Sequence, residues 1–397
     1  MKILAIETSC DETAISIIEA KGGVKNPEFK ILAETIISQI NIHKEYGGVF
    51  PALAKREHSR NLLPVLKKTL TGAGFELKVK SSKLKVNIKR EQISKILEKE
   101  SEMIEPLINF LEKYEIPKID AVAVTQGPGL EPALWTGLNF AKVLSLVWDK
   151  PFVPVNHMEG HLFAFFASQK KQNFQFSIFN FQKNFFPALG LLVSGGHTEL
   201  VLMKDIGKYK IVGQTRDDAV GEAYDKVARM LGLSYPGGPE ISKLSEQYKP
   251  KKMASKYKLP RPMLNTPDYD FSFSGLKTAV LYTVKNIPKL TPKIKQEISY
   301  EFEQAVVDVL LHKTKKAIEK YKIKTLILGG GVVANKKIRK TFQDMGSEKL
   351  NILIPDIEYT GDNATMIAVA GYFRFLDKKY LQPEKALKIK ANGNLNF

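Results

Sequence analysis

Residues 2–19, KILAIETSCDETAISIIE, and residues 188–203, ALGLLVSGGHTELVLM, repeat one pattern in the two halves of the chain. In each, two apolar runs typical of buried strands flank a short turn of small and polar residues. The turn SGGHT at 194–198 offers backbone N–H groups that suit phosphate or carboxylate, although taken alone a plain Gly-Gly hairpin turn explains it equally well. Because the chain shows the same device twice, the sequence predicts a duplicated α/β fold with a cleft between two lobes.

The composition is that of a soluble globular protein with room for two lobes. The chain has 397 residues, of which 44% are hydrophobic and 26% are charged. No apolar run approaches the roughly 20 residues that a membrane span needs, and the N-terminus lacks the long apolar stretch of a signal peptide, so a cytoplasmic location is expected. Cys10 is the only cysteine, which excludes an internal disulfide and a cysteine-based zinc site. Any metal must therefore be held by histidine and carboxylate.

The charge of the chain predicts a polyanionic partner. The formal net charge is +18, and lysine-rich surfaces bind phosphate backbones through counterion release. A lysine-biased proteome from an AT-rich genome is the alternative explanation. A predicted helix that begins at Pro51 is also basic, and nucleic-acid contact is favoured there over a solvated face. Its basic residues are Lys55, Arg56, His58, Arg60, Lys67 and Lys68.

Two of the six histidines lie four residues apart in the stretch PVNHMEGH at 154–161. On a helix this spacing places His157 and His161 on one face, where both imidazoles can share one metal ion. Surface or cap histidines are the alternative, because two ligands make only half a site. Asp362 opens an apolar helix in the stretch GDNATM. N-capping is its ordinary role there, and it is also the natural candidate for the third ligand.

Other turns carry candidate ligand-binding residues. The predicted strand at 324–328 runs into a Gly-rich turn at 329–335, a pattern typical of nucleotide sites. Asp225 shares a helix face with Glu222. It is a candidate for binding a ligand hydroxyl or amine, or else it is a capping or surface acid.

Two stretches stand apart in composition. Residues 76–90 alternate lysine with apolar residues and predict a hairpin, and residues 91–113 show helical spacing that Pro106 is expected to split or kink. Residues 169–186 are rich in phenylalanine among lysines. That pattern indicates one face of a hairpin or, as the alternative, rings that stack on bases.

Taken together, these motifs resemble the tRNA N6-adenosine threonylcarbamoyltransferase family (TsaD/Gcp, Kae/YgjD-like proteins). The matching stretches span nearly the whole chain in family order: IETSCDET (6–13), HKEYGGVFPALAKREH (43–58), GPGL (127–130), NHMEGH (156–161), LLVSGGHTEL (191–200), DDAVGEAYDK (217–226), YPGGP (235–239), FSFSGLK (271–277), GGGVVAN (329–335) and GDNATMIA (361–368). The resemblance implies a two-lobed actin-like ATPase fold (ASKHA), which is a duplicated ribonuclease H-like α/β fold.

The resemblance implies transfer of a threonylcarbamoyl group from threonylcarbamoyl-AMP to N6 of the adenosine 3′-adjacent to the anticodon, in tRNAs that read codons beginning with A. It implies an N-terminal lobe at residues 1–155, with a Lys-rich insertion near 76–105. A C-terminal lobe is expected at residues 156–397, with a Phe-rich insertion near 169–186 and a C-terminal helix that packs back on the first lobe.

The matching motifs also imply site residues. The implied metal ligands are His157, His161 and Asp362, for one divalent ion that is Fe²⁺ or, as the alternative, Zn²⁺. The implied substrate-binding residues are Leu192, Val193, Ser194, Gly195, Gly196, Asp225, Gly238 and Asn335. Asp11 and Glu12 are the candidate catalytic residues, and His197 lies in a matching loop.

The partners that the resemblance implies are the anticodon stem-loop of tRNA, the adenylate or ATP, a paralogous non-catalytic subunit and a small ATPase subunit, and no membrane. Ala52 departs from the family pattern, which usually has glutamate there. A non-catalytic actin-like nucleotide-binding scaffold is the alternative function. A metallopeptidase is disfavoured, because the zincin signature needs glutamate directly after the first histidine, where this chain has Met158.

Overall fold

The computed structural model describes residues 1–79, 89–168, 185–249 and 255–397. The strands in these residues are β1 (Lys2–Glu7), β2 (Glu12–Lys21), β3 (Glu28–Ser38), β4 (Ala121–Gly127), β5 (Phe152–Asn156), β6 (Ala188–Val193), β7 (Thr198–Asp205), β8 (Lys208–Gln214), β9 (Thr325–Gly329) and β10 (Asn351–Leu353). The α-helices are α1 (Ile40–His43), α2 (Pro51–Gly72), α3 (Arg90–Ile96), α4 (Ile104–Lys113), α5 (Glu131–Trp148), α6 (His157–Phe163), α7 (Val220–Met230), α8 (Gly237–Gln247), α9 (Ser274–Lys285), α10 (Pro292–Tyr321), α11 (Lys336–Gln343), α12 (Ala364–Leu376) and α13 (Pro383–Ala386). Short 3-10 helices occur at Lys44–Tyr46, Glu98–Met103, Ala164–Ser168, Gly331–Ala334 and Ile357–Tyr359.

The described strands form two five-stranded sheets with one topology. The first has the order β3-β2-β1-β4-β5 and the second the order β8-β7-β6-β9-β10. In each, the first three strands form an antiparallel meander, and the last two continue parallel to the central strand. This repeated order confirms the predicted duplicated ribonuclease H-like fold.

The central strand of each sheet, β1 or β6, is buried, and this burial explains its continuous apolar sequence. Residues 3–6 of β1 and residues 188–193 of β6 are buried. Strands that are covered on both faces need near-continuous apolar sequence, whereas half-exposed strands alternate. Parallel neighbours also need crossover connections, and helices supply them between β3 and β4 and between β6 and β9.

Contacts divide the chain into two compact units. The first comprises Met1–His43, Val49–Phe179 and Asp362–Phe397, and the second comprises Lys44–Gly48 and Asn180–Gly361. These bounds differ from the predicted lobes at 1–155 and 156–397. The reason lies in packing: α12 lies on β1 and β2, and α6 packs on α12, so both helices belong with the first sheet.

The region after α2 differs from its prediction. The helical pattern at 91–113 is interrupted before Pro106, because the 3-10 helix Glu98–Met103 contains Glu100 at φ −122° and ψ 42°. Pro106 itself lies in the first turn of α4, where a missing N–H costs no helical hydrogen bond. Residues 80–88 of the predicted hairpin and residues 169–184 of the Phe-rich stretch lie outside the described residues. Among the described helices, none has both the length and the apolar character to span a membrane.

His58 does not belong to the predicted basic face of α2. Its side chain is fully buried. Its Nε2 donates to the carbonyl of Cys10 at 3.0 Å, and the Thr13 hydroxyl lies 2.8 Å from its Nδ1. These contacts fit a neutral imidazole with its proton on Nε2. His58 therefore fastens α2 to the β1–β2 turn, while Arg56, Arg60, Lys67 and Lys68 stay exposed.

We expect His58 to make the folded protein sensitive to mild acid. Burial lowers the pKa of His58 to about 4, against about 6.5 in an unfolded chain. Because the pKa of His58 is lower in the folded state than in the unfolded state, the contribution of this residue to the free energy of unfolding is complete above pH 6.5. That contribution is lost as pH falls towards 4. The free energy of unfolding should fall by about 2–3 kcal/mol between pH 7 and pH 4.5 from this residue alone. Urea unfolding at both pH values measures it. His58→Gln should flatten this dependence, and an unchanged dependence would contradict the assignment.

Candidate functional site

The first unit places the two predicted metal-ligating histidines at the start of α6. Strand β5 ends at Asn156, whose side chain accepts hydrogen bonds from the backbone N–H groups of Met158 and Glu159 and so begins the helix. His157 and His161 then lie one turn apart on the same face. Both are buried, and their ring centroids are 4.7 Å apart.

Asp362 reaches the same point from the loop before α12. Its Oδ1 lies 3.3 Å from Nε2 of His157 and 3.3 Å from Nε2 of His161. The N-cap of α12 is the next residue, Asn363, whose side chain accepts from the backbone N–H of Met366. Capping, the alternative role of Asp362, is therefore filled by its neighbour, and the Asp362 carboxylate faces the histidines.

Close helix packing holds these ligands together. A Cβ atom at Gly160 would lie 2.9 Å from Cδ1 of Ile367 on α12, so glycine lets the two helices approach without displacing the Ile367 side chain. An ion pair joins the same two helices, with Nη1 of Arg374 lying 3.0 Å from Oε2 of Glu159. The spacing in HMEGH thus serves two purposes, since histidines face the cluster while glycine faces α12.

Glu7 contacts the cluster from the end of β1, although it is not among the predicted site residues. It is the last residue of β1 and is fully buried. Its Oε2 lies 3.0 Å from Nδ1 of His157 and accepts from the Thr125 hydroxyl at 2.6 Å, while Oε1 accepts from the backbone N–H of Ser9. A carboxylate at Nδ1 favours the tautomer that leaves Nε2 free as a ligand. The early acid in KILAIE was the available signal.

The electrostatics of the cluster favour positive charge. Burial by itself would lower the pKa of His157, but Asp362 and Glu7 raise it well above its usual range. Burial lowers the pKa of His161. Burial would raise the pKa of Asp362, yet the two histidines hold it well below its usual range. The carboxyl groups of Asp362 and Glu7 beside two buried imidazoles create a site that attracts a cation.

The residues fit a divalent metal ion. The ligand atoms of His157, His161 and Asp362 all lie within 4.8 Å of one another. The His161 side chain is fully buried, yet among the residues that the structure describes its Nε2 faces only the Asp362 carboxylate, at 3.3 Å, and its Nδ1 has no hydrogen-bond partner. Buried polar atoms are normally paired, so a fully buried histidine with so few hydrogen-bond partners is typical of a residue that binds a metal ion. Two imidazole nitrogens and one carboxylate oxygen suit iron and zinc.

The predicted catalytic residues lie where the β1–β2 turn of the same unit meets β2: Asp11 ends the turn and Glu12 begins the strand. Asp11 is buried, and its backbone carbonyl accepts from the N–H of Gln39. Glu12 accepts from the Ser38 hydroxyl at 3.0 Å. Burial and the nearby carboxylates of Asp11 and Asp362 raise the pKa of Glu12 well above its usual range.

The second unit contains a cavity of about 500 Å³ that gathers four of the predicted substrate-binding residues. Its lining includes Gly195, Asp225, Gly238 and Asn335. Of the other four, Leu192 and Val193 are the buried end of β6, and Ser194 closes the turn by accepting from the backbone N–H of His197 at 3.1 Å. Gly196 is exposed in the same turn, outside the residues that line the cavity.

Two of the lining residues also hold the walls of this cavity in place. Asp225 Oδ1 accepts from the backbone N–H of Gly237 at 2.7 Å, which pins the start of α8, and burial raises the pKa of Asp225. Asn335 caps α11, because its Oδ1 accepts from the N–H of Ile338 at 2.9 Å. Gly330 has φ +95°, and a Cβ atom there would lie 2.3 Å from the carbonyl oxygen of Val193. Glycine is therefore required where the Gly-rich turn passes β6.

Comparison with known proteins gives one result along the whole chain. The family model of TsaD, tRNA N6-adenosine threonylcarbamoyltransferase, matches residues 30–81 and 97–369 and leaves unmatched a segment within the predicted Lys-rich insertion. A protein of that name from Thermosipho melanesiensis is 40% identical over 398 residues, covering 100% of both chains. Those from Thermosipho africanus and Staphylococcus haemolyticus are 41% and 38% identical, covering 99% and 100% of this chain and 99% and 96% of theirs.

Proposed function

Because the chain belongs to the tRNA N6-adenosine threonylcarbamoyltransferase family, we propose that its donor is threonylcarbamoyl-AMP and that its acceptor is N6 of the adenosine 3′-adjacent to the anticodon. The tRNAs are those that read codons beginning with A. The protein is a transferase that modifies tRNA. The observation that carries the proposal is the cluster formed by buried His157, buried His161 and half-buried Asp362. A non-catalytic scaffold would have no need of such a cluster.

His157, His161 and Asp362 would hold one divalent ion, Fe²⁺ or alternatively Zn²⁺. When bound, such an ion supplies Lewis-acid polarisation and orientation of an oxygen-rich donor. The residues of this chain prepare the site for it: Glu7 orients His157, and the contact between α6 and α12 brings Asp362 to both rings. Because only three protein residues would bind the ion, the donor would have room to bind beside them.

The proposed reaction replaces one bond with another. The N6 amine attacks the carbonyl carbon of the threonylcarbamoyl group, so a C–N bond forms and the bond from that carbon to the phosphate oxygen breaks. AMP leaves, and the amine gives up one proton. Asp11 and Glu12 are the proposed catalytic carboxylates of the first unit, with proton acceptance as their role.

The second unit is proposed to hold the nucleotide part of the donor. Its cavity has the size of a small-molecule site, and Asp225, Gly238 and Asn335 line it. Leu192, Val193 and Ser194 lead into the turn after β6, and the backbone N–H groups of Gly195 and Gly196 in that turn are proposed to face the phosphate, because consecutive glycines leave them accessible.

Transfer RNA fits the charge of the chain. The net charge is +18, and exposed lysine and arginine side chains can hold stem phosphates without reading sequence. An anticodon loop is single-stranded, so its base can leave the stack and enter a site. The proposed protein partners are a paralogous non-catalytic subunit and a small ATPase, with a separate enzyme making the adenylate.

A transfer assay tests the proposal directly. The tagged full-length chain, purified from its own cells with whatever partners accompany it, is given threonylcarbamoyl-AMP labelled in threonine. Two tRNA transcripts are compared, with adenosine or guanosine 3′ of the anticodon. We expect label in the adenosine transcript only, and loss of threonylcarbamoyladenosine from the tRNA of cells depleted of the chain. Equal labelling of both transcripts would contradict the acceptor, and unchanged cellular tRNA would favour a different substrate.

A further inference from the structure

Glu303 is a buried acid that none of the predicted site motifs contains. It lies on α10 and is only 2% exposed. Its Oε1 accepts from the hydroxyl of Ser242 at 3.0 Å and from Nδ2 of Asn335 at 2.6 Å, and its Oε2 accepts from the hydroxyl of Ser245 at 2.6 Å. One carboxylate therefore joins α10, α8 and the start of α11.

Two of these three donors face the cavity of the second unit. Ser242 and Asn335 line it, whereas Glu303 itself is not among the lining residues. Asn335 Nδ2 also donates to the Ser242 hydroxyl at 2.7 Å, and Asn335 Oδ1 is engaged with the N–H of Ile338. Both ends of the Asn335 amide are thus held, so its orientation beside the cavity is fixed.

The chemistry of the contacts calls for a carboxylate at Glu303. Ionised glutamate is an acceptor only, and its two oxygens receive three donors here. Glutamine has the same shape but turns one acceptor into an N–H₂ donor. The Ser245 hydroxyl can accept from that donor, which leaves the amide oxygen to receive Ser242 and Asn335. A neutral amide oxygen is a weaker acceptor than a carboxylate oxygen, so the hold on Asn335 would loosen. A buried charge that is fully hydrogen-bonded is also a rigid anchor, since losing one partner is costly.

We propose that Glu303 is a positioning residue for the donor nucleotide, acting through Asn335 and Ser242. This inference rests on the proposed function, because it takes the cavity to be the adenylate site. Glu303 touches no reacting atom, so it should govern the binding of the nucleotide and leave the chemical step alone.

The test compares Glu303→Gln with Glu301→Gln. Glu301 lies on the same helix, is similarly buried at 9%, and pairs with Arg261 at 2.7 Å. We expect Glu303→Gln to raise the KM for threonylcarbamoyl-AMP about tenfold and to weaken AMP binding by a similar factor in calorimetry. Its kcat and its KM for tRNA should stay within about twofold of the wild type. Glu301→Gln should leave both nucleotide constants unchanged.

A double-mutant cycle tests whether Glu303 acts through the cavity lining. In a background of Ser242→Ala and Asn335→Ala, Glu303→Gln should have no further effect on AMP affinity, because its route to the nucleotide is gone. Full additivity would overturn the proposal, as would equal losses in the Glu301 control. Glu303→Asp, which keeps the charge but withdraws it by one methylene, should show the same selective rise and serves where the glutamine variant does not fold.

The outcomes also separate this inference from the function on which it rests. If the wild-type protein binds no AMP and uses no threonylcarbamoyl-AMP, the nucleotide assignment of the cavity fails. If the wild type binds AMP and Glu303→Gln binds it equally well, only the role of Glu303 fails.

Discussion

Replacing His161 with alanine is expected to remove the metal from the purified protein and to reduce threonylcarbamoyladenosine formation by on the order of a hundredfold or more. Nε2 of His161 is one of the three ligand atoms that lie within 4.8 Å of one another, and its removal leaves two of the three. His157 and Asp362 alone would make an incomplete site. Elemental mass spectrometry of the protein measures the metal, and nucleoside mass spectrometry of tRNA from complemented cells measures the product.

His58→Gln is the matched control for this experiment. It also removes a fully buried histidine of the first unit, but His58 binds Thr13 and Cys10 and is not one of the three clustered ligands. The control should lose stability while keeping the metal. Should His161→Ala retain its metal, the ion binds elsewhere. Should it lose the metal yet still modify tRNA, the cluster is structural and not catalytic.

Local sequence was sufficient to predict the strands and turns that carry the fold. The apolar runs of β1 and β6 are nearly continuous because both strands are buried in the middle of a sheet. The turns after them kept the same small and polar character in both halves. Likewise, the spacing of His157 and His161 is a property of one helical turn, which sequence alone displays.

Features that depend on long-range packing could not be predicted in this way. Asp362 was proposed from its motif, but it reaches α6 only because α12 packs on the first sheet. That packing joins residues near the two ends of the sequence, β1 and α12, and local sequence does not display it. His58 looked like part of a basic face because its periodicity matches the lysines around it, yet its hydrogen bonds to Thr13 and Cys10 bury it. Glu303 has no sequence signal, since a buried acid on a long helix resembles a surface acid until its partners are known.

Replacing Glu7 with glutamine is expected to weaken metal binding about tenfold to a hundredfold, the usual cost of losing a carboxylate that orients a ligating histidine. Glu7 faces Nδ1 of His157 at 3.0 Å and is itself held by Thr125. The amide oxygen of glutamine carries less negative charge than a carboxylate oxygen, so it is a weaker acceptor for Nδ1–H of His157. If the amide turns the other way, its N–H₂ group faces Nδ1–H, and two donors then oppose each other. Titration of the metal-free protein with Zn²⁺ against a competing chelator measures the affinity without relying on activity.

A second buried acid shows whether this effect belongs to the cluster. Glu100→Gln also removes a buried carboxylate from the first unit, but its partners are Lys55 and Asn139. We expect the Glu100 variant to bind Zn²⁺ as the wild type does, even where its stability falls. If both variants lose affinity equally, the loss reflects a loosened unit and not the orientation of His157. If neither loses affinity, the contact between Glu7 and His157 has no part in binding the metal, and the helix and the Ser9 hydroxyl, which lies 3.2 Å from Nδ1 of His157, are sufficient to hold the ring.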